Sequence, residues 1–397
     1  MLFAAFLGIG VSMVSLLFYS GGVFIKPLEE AFGWSRAQIG AGSFLSVITL
    51  ALIAPLAGRL LDKLGLRWVC TISLLLYAGG MFALSRMNGS LTLYYATVTL
   101  ITAVGVGSSP IAFTRAVSAW FVRNRGLALG MSMASTGVAG VLIPVFLTPF
   151  VAEHGWRAGY LMLMAVVVVA TPVVWLWIRD HPPQQGDETD EAVVPVEGVD
   201  FAAARRDASF WLMGAIFFLV SLAISGLILS FIPLLQDAGL SPAAAGRFGA
   251  VIGASVMVGR LVTGFLIDRL FAPRVAAVLF TLIACGCLAL AFGGVALAFP
   301  AALALGFAMG AETDLIGYLV CRYFGLRSYG QIYGAQYSLF VLGGGISPAV
   351  AGYIYDAHGS YDMALVGAAA CLGLAALLSL RLSAFPESFP SNTPINR

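Results

Sequence analysis

Residues 211–231, WLMGAIFFLVSLAISGLILSF, form an uninterrupted apolar stretch without a charged residue. A transmembrane helix needs about 20 such residues to cross the hydrocarbon core of a bilayer. Residues 68–84, 158–178 and 275–299 are apolar over similar lengths, and none of these stretches alternates like a barrel strand. Because only helices and closed barrels satisfy the backbone polar groups inside hydrocarbon, these stretches predict transmembrane helices.

The rest of the chain has the same character, since 60% of its 397 residues are apolar and 10% are charged, and its mean hydropathy is +0.95. An ordinary soluble domain carries roughly 25% charged residues. Division at polar and turn-rich breaks gives spans at residues 2–26, 38–60, 68–87, 92–120, 127–151, 158–178, 210–235, 245–267, 275–295, 297–321, 331–355 and 361–381. The sequence therefore predicts an all-α integral membrane protein with twelve transmembrane helices.

The distribution of basic residues predicts the orientation. With the N-terminus in the cytoplasm, only Lys26, Arg36, Arg86, Arg157 and Arg247 lie on the outer side, and the other basic residues outside the spans lie on the inner side. This satisfies the positive-inside rule, and an even number of spans returns the C-terminus to the cytoplasm. We expect a multi-pass protein of the plasma membrane or bacterial inner membrane.

Several classes of function find no support in the composition. The net charge is +2, and no basic cluster is interleaved with aromatic residues, so no nucleic-acid partner is expected. The five cysteines and three histidines lack the spacing of metal ligands, so no metal or cofactor is expected. Because no nucleophile–base pair or phosphate loop is visible, an enzyme is not expected. We expect the protein to be a monomer in a lipid bilayer and to bind a small solute.

A hydrophilic stretch at residues 179–209 separates two similar parts of the chain. It predicts a cytoplasmic linker between a six-helix bundle at residues 1–178 and a second bundle at residues 210–397, which ends in a short cytoplasmic tail. The same residue types recur 206 positions apart in Gly58, Asp62 and Lys63 and in Gly264, Asp268 and Arg269. Duplicated halves are typical of alternating access, in which the halves rock about a site near the midplane.

The loop after the second span resembles the signature of the major facilitator superfamily. Its residues Gly58, Asp62, Lys63, Gly65 and Arg67 match the pattern G-x-x-x-D-R/K-x-G-x-R/K. A degenerate copy starts at Gly264 and includes Asp268 and Arg269, and the resemblance extends over essentially the whole chain. It implies that Asp62 and the nearby basic residues form a cytoplasmic latch that favours the outward-open state. The alternative is that they only anchor the helices at the inner leaflet.

Three charged residues lie deep inside predicted spans. Arg260 precedes Asp268 by eight residues, which places it about 12 Å from the cytoplasmic end of its helix, and Glu312 and Asp314 lie at a similar depth of about 13–16 Å. Such charges cost at least ~2.5–3.5 kcal/mol each, so they face the protein interior, pair with each other or line an aqueous path. Arg260 is predicted to grip a carboxylate with its planar fork, or else to form a structural ion pair with Asp314 or Glu312.

The two acids are candidates for proton coupling. Burial favours the neutral form of a carboxyl group and a neighbouring guanidinium favours the ionised form, so substrate binding can change the protonation of such a group. The alternative is that Glu312 and Asp314 only neutralise Arg260 or hold helices together. Because they are two positions apart on one helix, at most one is expected to face a cavity with Arg260.

Other polar residues within the spans are weaker candidates for substrate contacts. Arg115 is expected either to bind substrate or to extend to the inner membrane surface, because Trp120 and Phe121 predict the interface close by. Tyr19, Gln336 and Tyr337 are predicted to line the cavity as hydrogen-bonding groups, although each type is also common in helix contacts.

Stretches at residues 32–36, 259–264 and 322–325 resemble the monocarboxylate and oxalate–formate porter branch of the superfamily. In that branch the arginine that matches Arg260 binds the substrate carboxylate. Val256 stands where animal monocarboxylate porters have an acid, and Phe340 where oxalate exchangers have a second cation. The resemblance therefore favours a proton-coupled porter of a monoanionic carboxylate that works by alternating access. The alternatives are an organic-anion exchanger and a drug-efflux antiporter, although the fifth span departs from the efflux signature.

Overall fold

A computed structural model describes residues 1–121, 123–179 and 197–386 of the chain. Apart from turns, loops and one isolated bridge, the described residues are helical. In the first half the helices are α1 (Leu2–Gly10), α2 (Met13–Phe32), α3 (Arg36–Leu64), α4 (Leu66–Ser85), α5 (Leu91–Gly105), α6 (Pro110–Trp120) and α7 (Arg125–Trp177). In the second half they are α8 (Phe201–Ala204), α9 (Ala208–Asp237), α10 (Pro242–Ile267), α11 (Ala272–Gly293), α12 (Ala298–Phe324), α13 (Tyr329–His358) and α14 (Asp362–Leu380).

Ten helical segments in the described ranges are long and apolar enough to cross a membrane, and two of them contain 53 residues each. A helix of 53 residues would measure about 80 Å, far more than the ~30 Å hydrocarbon core. The segment Arg125–Trp177 bends at Gly155, whose φ of 82° is not helical, and the segment Ala272–Phe324 turns at Gly294, whose φ is 60°. Each is therefore two spans, and the predicted fold of twelve transmembrane helices in two bundles is confirmed.

The first and fourth spans are interrupted, which the continuous predictions at residues 2–26 and 92–120 missed. In the first span, α1 ends at Gly10 and the Ser12 side chain caps α2 by accepting from the Ser15 N–H. In the fourth span, a short 3₁₀ turn (Val106–Ser108) precedes α6. The two breaks adjoin, because the Met13 N–H donates to the Ser108 Oγ at 3.5 Å.

The helix of the first span extends beyond the predicted span end at residue 26, because α2 continues through Pro27 to Phe32. Gly33 ends this helix with a φ of 68°, a left-handed conformation that suits glycine. Ser35 and Gln38 then form a capping box at the start of α3. The short connection between these helices is therefore specified by local sequence.

The predicted linker has structure in its described part, while residues 180–196 lie outside the described residues. The Val199 N–H donates to the Phe324 carbonyl and the Leu326 N–H donates to the Glu197 carbonyl, both at 2.9 Å. The linker is thereby attached to the turn between α12 and α13, before α8 leads into α9.

The most extensive contacts between the two halves are those of α3 with α13 and of α7 with α10. Glycines make these contacts close. Gly58 lies against the Gly330 backbone, and Gly126 lies against the Gly264 backbone. Small residues at a membrane-helix interface allow such backbone approach. Both contacts lie at the end of the molecule that carries the loop at residues 58–67, here called the motif end.

Candidate functional site

Asp62, in the last turn of α3, caps a helix of the opposite half. Its Oδ1 accepts from the Gly330 N–H and its Oδ2 from the Gln331 N–H, each at 2.9 Å, in the first turn of α13. The N-cap residue of α13, Ser328, makes no side-chain capping bond within the described residues. A carboxylate is stabilised there by the free N–H groups and the positive end of the helix dipole.

Asp268, at the end of α10, makes the same contact in the reverse direction. Its carboxylate oxygens accept from the Gly126 N–H at 2.7 Å and from the Leu127 N–H at 2.9 Å, in the first turn of α7. The side chain of Asn124 at that helix start likewise makes no capping bond in the part of the chain described. Each half therefore contributes one aspartate that caps a helix of the other half.

The basic residues of the motif contact their own half instead. The Arg67 Nε donates to the Trp175 carbonyl at 2.9 Å, and its guanidinium lies 4.0 Å from the centroid of the Trp175 ring. Arg269 follows the end of α10 and lies 3.5 Å over the ring of Phe265 in that helix. Lys63 is in the last turn of α3, where a cation suits the helix dipole. The contacts of Arg67 and Arg269 agree with the anchoring alternative, and the role of the motif's basic residues in a latch stays a prediction. Gly65, with a φ of 82°, forms the turn between α3 and α4.

Arg115 lies at the motif end and not beside the central charges. Its Nε is 3.4 Å from the Asp62 Oδ1, and its NH1 donates to the Leu61 carbonyl at 3.0 Å. The long side chain extends from α6 toward the end of α3, where it supports the carboxylate that caps α13. These contacts agree with the alternative, in which Arg115 extends toward the inner membrane surface, and substrate binding by Arg115 stays a prediction.

Arg260 forms a buried ion pair between α10 and α12. Its NH1 lies 3.1 Å from the Asp314 Oδ1 and donates to the Thr313 Oγ1 at 3.3 Å. Its relative exposure is 6%, and that of Asp314 is 0%. The Arg260 Nε has no hydrogen-bond partner among the described residues. The guanidinium is thus held at one nitrogen and retains an unused donor.

Glu312 lies near the Arg260 guanidinium, but the ion pair of that guanidinium is with Asp314. Its relative exposure is 6%, and its Oε2 lacks a hydrogen-bond partner in the described ranges. It interacts electrostatically with Arg260 on α10 and with Tyr337 on α13. Both acids thus interact with Arg260, but only Asp314 forms an ion pair with it, and the prediction that at most one of them faces a cavity stays a prediction.

The ion pair lies at the boundary between the halves. A Cβ on Gly130 of α7 would lie 2.6 Å from the Arg260 carbonyl oxygen and 3.6 Å from the Asp314 Oδ2. Only the absence of a side chain at residue 130 lets α7 approach this closely. A motion that separates α7 from α10 would consequently change the surroundings of Arg260 and Asp314.

Two tyrosines, one from each half, lie within electrostatic range of Arg260. Tyr19 of α2 interacts electrostatically with Arg260 and hydrogen-bonds to the Thr136 side chain, while its ring packs against Gly140. Tyr337 of α13 interacts with both Arg260 and Glu312. The structure thus brings together five predicted site residues: Arg260, Glu312, Asp314, Tyr19 and Tyr337.

Gln336 does not join them. It is fully buried, and its Nε2 donates to the Phe210 carbonyl at 2.8 Å in the contact between α13 and α9. Successive helical residues point about 100° apart, so Gln336 and Tyr337 cannot face the same space. The predicted cavity contact of Gln336 is therefore replaced by a helix contact.

An aromatic series on α13 was missed at the sequence level. The rings of Tyr329, Tyr333, Tyr337 and Phe340 follow one another with centroid distances of 5.7, 5.9 and 5.8 Å. Their spacing of four, four and three residues places them on one helix face, which is a signal that the sequence carries. The series extends from the capped start of α13 to the central ion pair.

Twelve spans in two bundles, with a buried ion pair at their boundary and reciprocal helix caps at one end, are typical of a membrane carrier. The family model of the Major Facilitator Superfamily matches residues 5–348, and the chain belongs to that family. The members of this family are carriers and not enzymes.

Relatives and solved structures agree with this assignment. The probable sulfoacetate transporter SauU of Cupriavidus necator is 25% identical over 376 residues, which cover 89% of this chain and 86% of that protein. The fold resembles the Escherichia coli fucose:proton symporter FucP, with a TM-score of 0.76 at 17% identity over 96% of this chain and 97% of that one. The human organic anion transporter MFSD10 gives a TM-score of 0.69 at 17% identity over the same shares of the two chains.

Proposed function

We propose that this protein is a proton-coupled porter of a small organic monoanion, and that Arg260 binds the carboxylate of the substrate. The observation that carries this proposal is the buried Arg260 at the boundary of the halves, whose Nε is unpaired among the described residues. A permanently charged group at this depth costs at least ~2.5–3.5 kcal/mol, so its presence calls for a function or a partner.

Asp314 meets that need only in part. It contacts one nitrogen of the guanidinium, whereas the planar fork has five N–H donors. A substrate carboxylate can accept from the remaining donors, and the Tyr19 and Tyr337 hydroxyls can complete its coordination from the two halves. A substrate that contacts both halves in this way couples its own binding to the relative movement of the halves.

The relatives support an anionic substrate through their names alone. SauU is named for sulfoacetate, which is a dianion, and MFSD10 for organic anions, so these names agree with an anion but do not favour a monoanion. FucP is a symporter of protons and fucose, a neutral sugar, and its name agrees only with proton coupling. The second cation that an oxalate-type exchanger would need has no counterpart at Phe340. A monoanion that enters with a proton fits the central charges better than a dianion does.

The reciprocal caps hold the motif end closed in one state of the transport cycle. In this proposal residues 1–178 and 210–397 rock about Arg260, and residues 179–209 link the two halves. The motif end and both termini face the cytoplasm, and the monomeric protein resides in the plasma or inner membrane. The conformation described here is then outward-facing, with Asp62 and Asp268 favouring it.

Uptake into proteoliposomes tests this proposal. We expect a panel of labelled short-chain and aromatic monocarboxylates to include one or more that enter faster when the outside is more acidic than the lumen. A neutral sugar and a hydrophobic cation serve as control solutes. Uptake of a carboxylate only when the lumen holds a counter-substrate would indicate exchange instead. Transport of the hydrophobic cation, with no carboxylate carried, would contradict the proposal in favour of drug efflux.

A further inference from the structure

The central cluster contains an imbalance of charge. Among the described residues, the buried charged side chains are Arg260, Glu312 and Asp314, one cation and two acids. If both acids were ionised, the cluster would hold one uncompensated negative charge, which is costly inside a membrane protein. A single proton bound to one of the two carboxyl groups makes the cluster neutral.

The surroundings of the two acids differ in a way that assigns this proton. Asp314 is fully buried and bonds to Arg260, and its carboxylate lies against Gly130 of the opposite half. These contacts are typical of a fixed counter-ion. Glu312 lies one half-turn farther from the motif end along α12, and it does not share the ion pair that Asp314 Oδ1 forms with Arg260. One oxygen of each acid, Glu312 Oε2 and Asp314 Oδ2, has no hydrogen-bond partner among the described residues, so the ion pair is what distinguishes them. A carboxyl group without a fixed counter-ion is the one that can gain and lose a proton.

We propose that Glu312 is the proton-carrying residue of the transport cycle, whereas Asp314 is a positioning residue that holds Arg260 toward the substrate. This inference rests on the proposed function for its role in transport. The proton binds to and leaves the Glu312 carboxyl oxygen, and no other bond changes.

The groups that face Glu312 from the neighbouring helices are few. Arg260 approaches from α10 and Tyr337 from α13, and Asp314 shares α12. The charged residues of the other helices packed against α12 lie at helix ends or bends, or pair elsewhere: Arg115 on α6, Arg125, Glu153 and Arg157 on α7, Asp237 on α9 and Arg274 on α11. When Arg260 binds a substrate carboxylate, its attraction for Glu312 weakens. This is therefore the main change in the surroundings of Glu312.

The direct test is infrared titration of the substrate-free protein in lipid. We expect a protonated-carboxyl band that persists at a pH where exposed acids are ionised. It should shift when the protein is grown with glutamate labelled with ¹³C at the side-chain carboxyl, but not with aspartate labelled in the same way. Glu312→Gln should remove the band, and Glu153→Gln, an exposed acid on α7, should leave it unchanged. A band that shifts with labelled aspartate, or the absence of any such band, would overturn the assignment.

Asp314→Asn is also expected to abolish the band, because in that variant an ionised Glu312 balances the charge of Arg260. The loss of the band therefore does not identify the protonated residue, and the isotope shift does. The transport arm separates the two roles. In Glu312→Gln the ratio of uptake with a pH gradient to uptake without one should fall to about one, whereas Asp314→Asn should keep a ratio above one and bind the substrate more weakly. Retained proton-driven uptake in Glu312→Gln would also overturn the assignment. If wild-type protein carries no carboxylate, the proposed function fails while the infrared result still decides where the proton resides.

Discussion

Replacement of Arg260 by alanine is expected to reduce carboxylate transport by about 30-fold or more, because loss of one partner from a buried charge pair costs about 2–5 kcal/mol and each 1.4 kcal/mol is tenfold in affinity. Two effects contribute. The substrate loses the cation that balances its charge, and Asp314 loses its partner at 3.1 Å. Initial rates of uptake over a range of substrate concentrations measure the loss, which should appear mainly as a raised KM if Arg260 contacts the substrate in its ground state.

Arg260→Lys separates charge from geometry. Lysine keeps the positive charge but lacks the planar fork, so we expect it to fold and still to transport poorly. Arg247→Ala is a matched control, since Arg247 lies on the same helix and is exposed. Wild-type KM and rate in Arg260→Ala, with normal insertion into the membrane, would contradict the role of Arg260 in binding.

The double variant Asp62→Asn/Asp268→Asn is expected to open the motif end. A carboxylate at a helix N-terminus contributes about 0.3–1 kcal/mol, and up to ~2 kcal/mol when partly buried. Each aspartate also receives two backbone hydrogen bonds from the opposite half. Together these contributions approach or exceed the 1.4 kcal/mol that shifts a two-state equilibrium tenfold. Asparagine keeps the size of the side chain and loses its charge.

Spin labels on cysteines introduced at Leu64 and Arg327, two exposed positions at the motif ends of opposite halves, can report this opening as a distance distribution. We expect a larger fraction of long distances in the double variant, and intermediate fractions in the two single variants. Glu30→Gln is the control, because Glu30 is exposed near the far end of α2 and pairs only weakly with Lys26. Identical distributions in the double variant and the wild type would show that the caps do not hold the motif end closed.

The twelve-span fold could be predicted because span length and apolar content are properties of the sequence alone. The repeat also carried structural information, since Asp62 and Asp268, 206 residues apart, make equivalent contacts with opposite halves. The depth of Arg260 and its neighbours followed from counting residues along their helices. These features depend on position along the chain or along a helix axis.

The errors concern rotation about the helix axis and local breaks. Gln336 and Tyr337 are adjacent, and only the packing of α13 against α9 determines which of them faces Arg260. The Arg115 side chain is long enough to reach either the cavity or Asp62, and sequence alone does not determine which of them it contacts. Thr313 and Gly130 were missed because threonine and glycine are common in membrane helices. The interruptions beside Ser12 and Ser108 depend on each other across the bundle.

The most direct measurement is a structure of the protein with a transported carboxylate bound. We predict that a carboxylate oxygen lies within hydrogen-bond distance of the Arg260 guanidinium, between Tyr19 of one half and Tyr337 of the other. A bound acid elsewhere in the protein, with Arg260 still paired to Asp314 and out of reach of the ligand, would contradict this account.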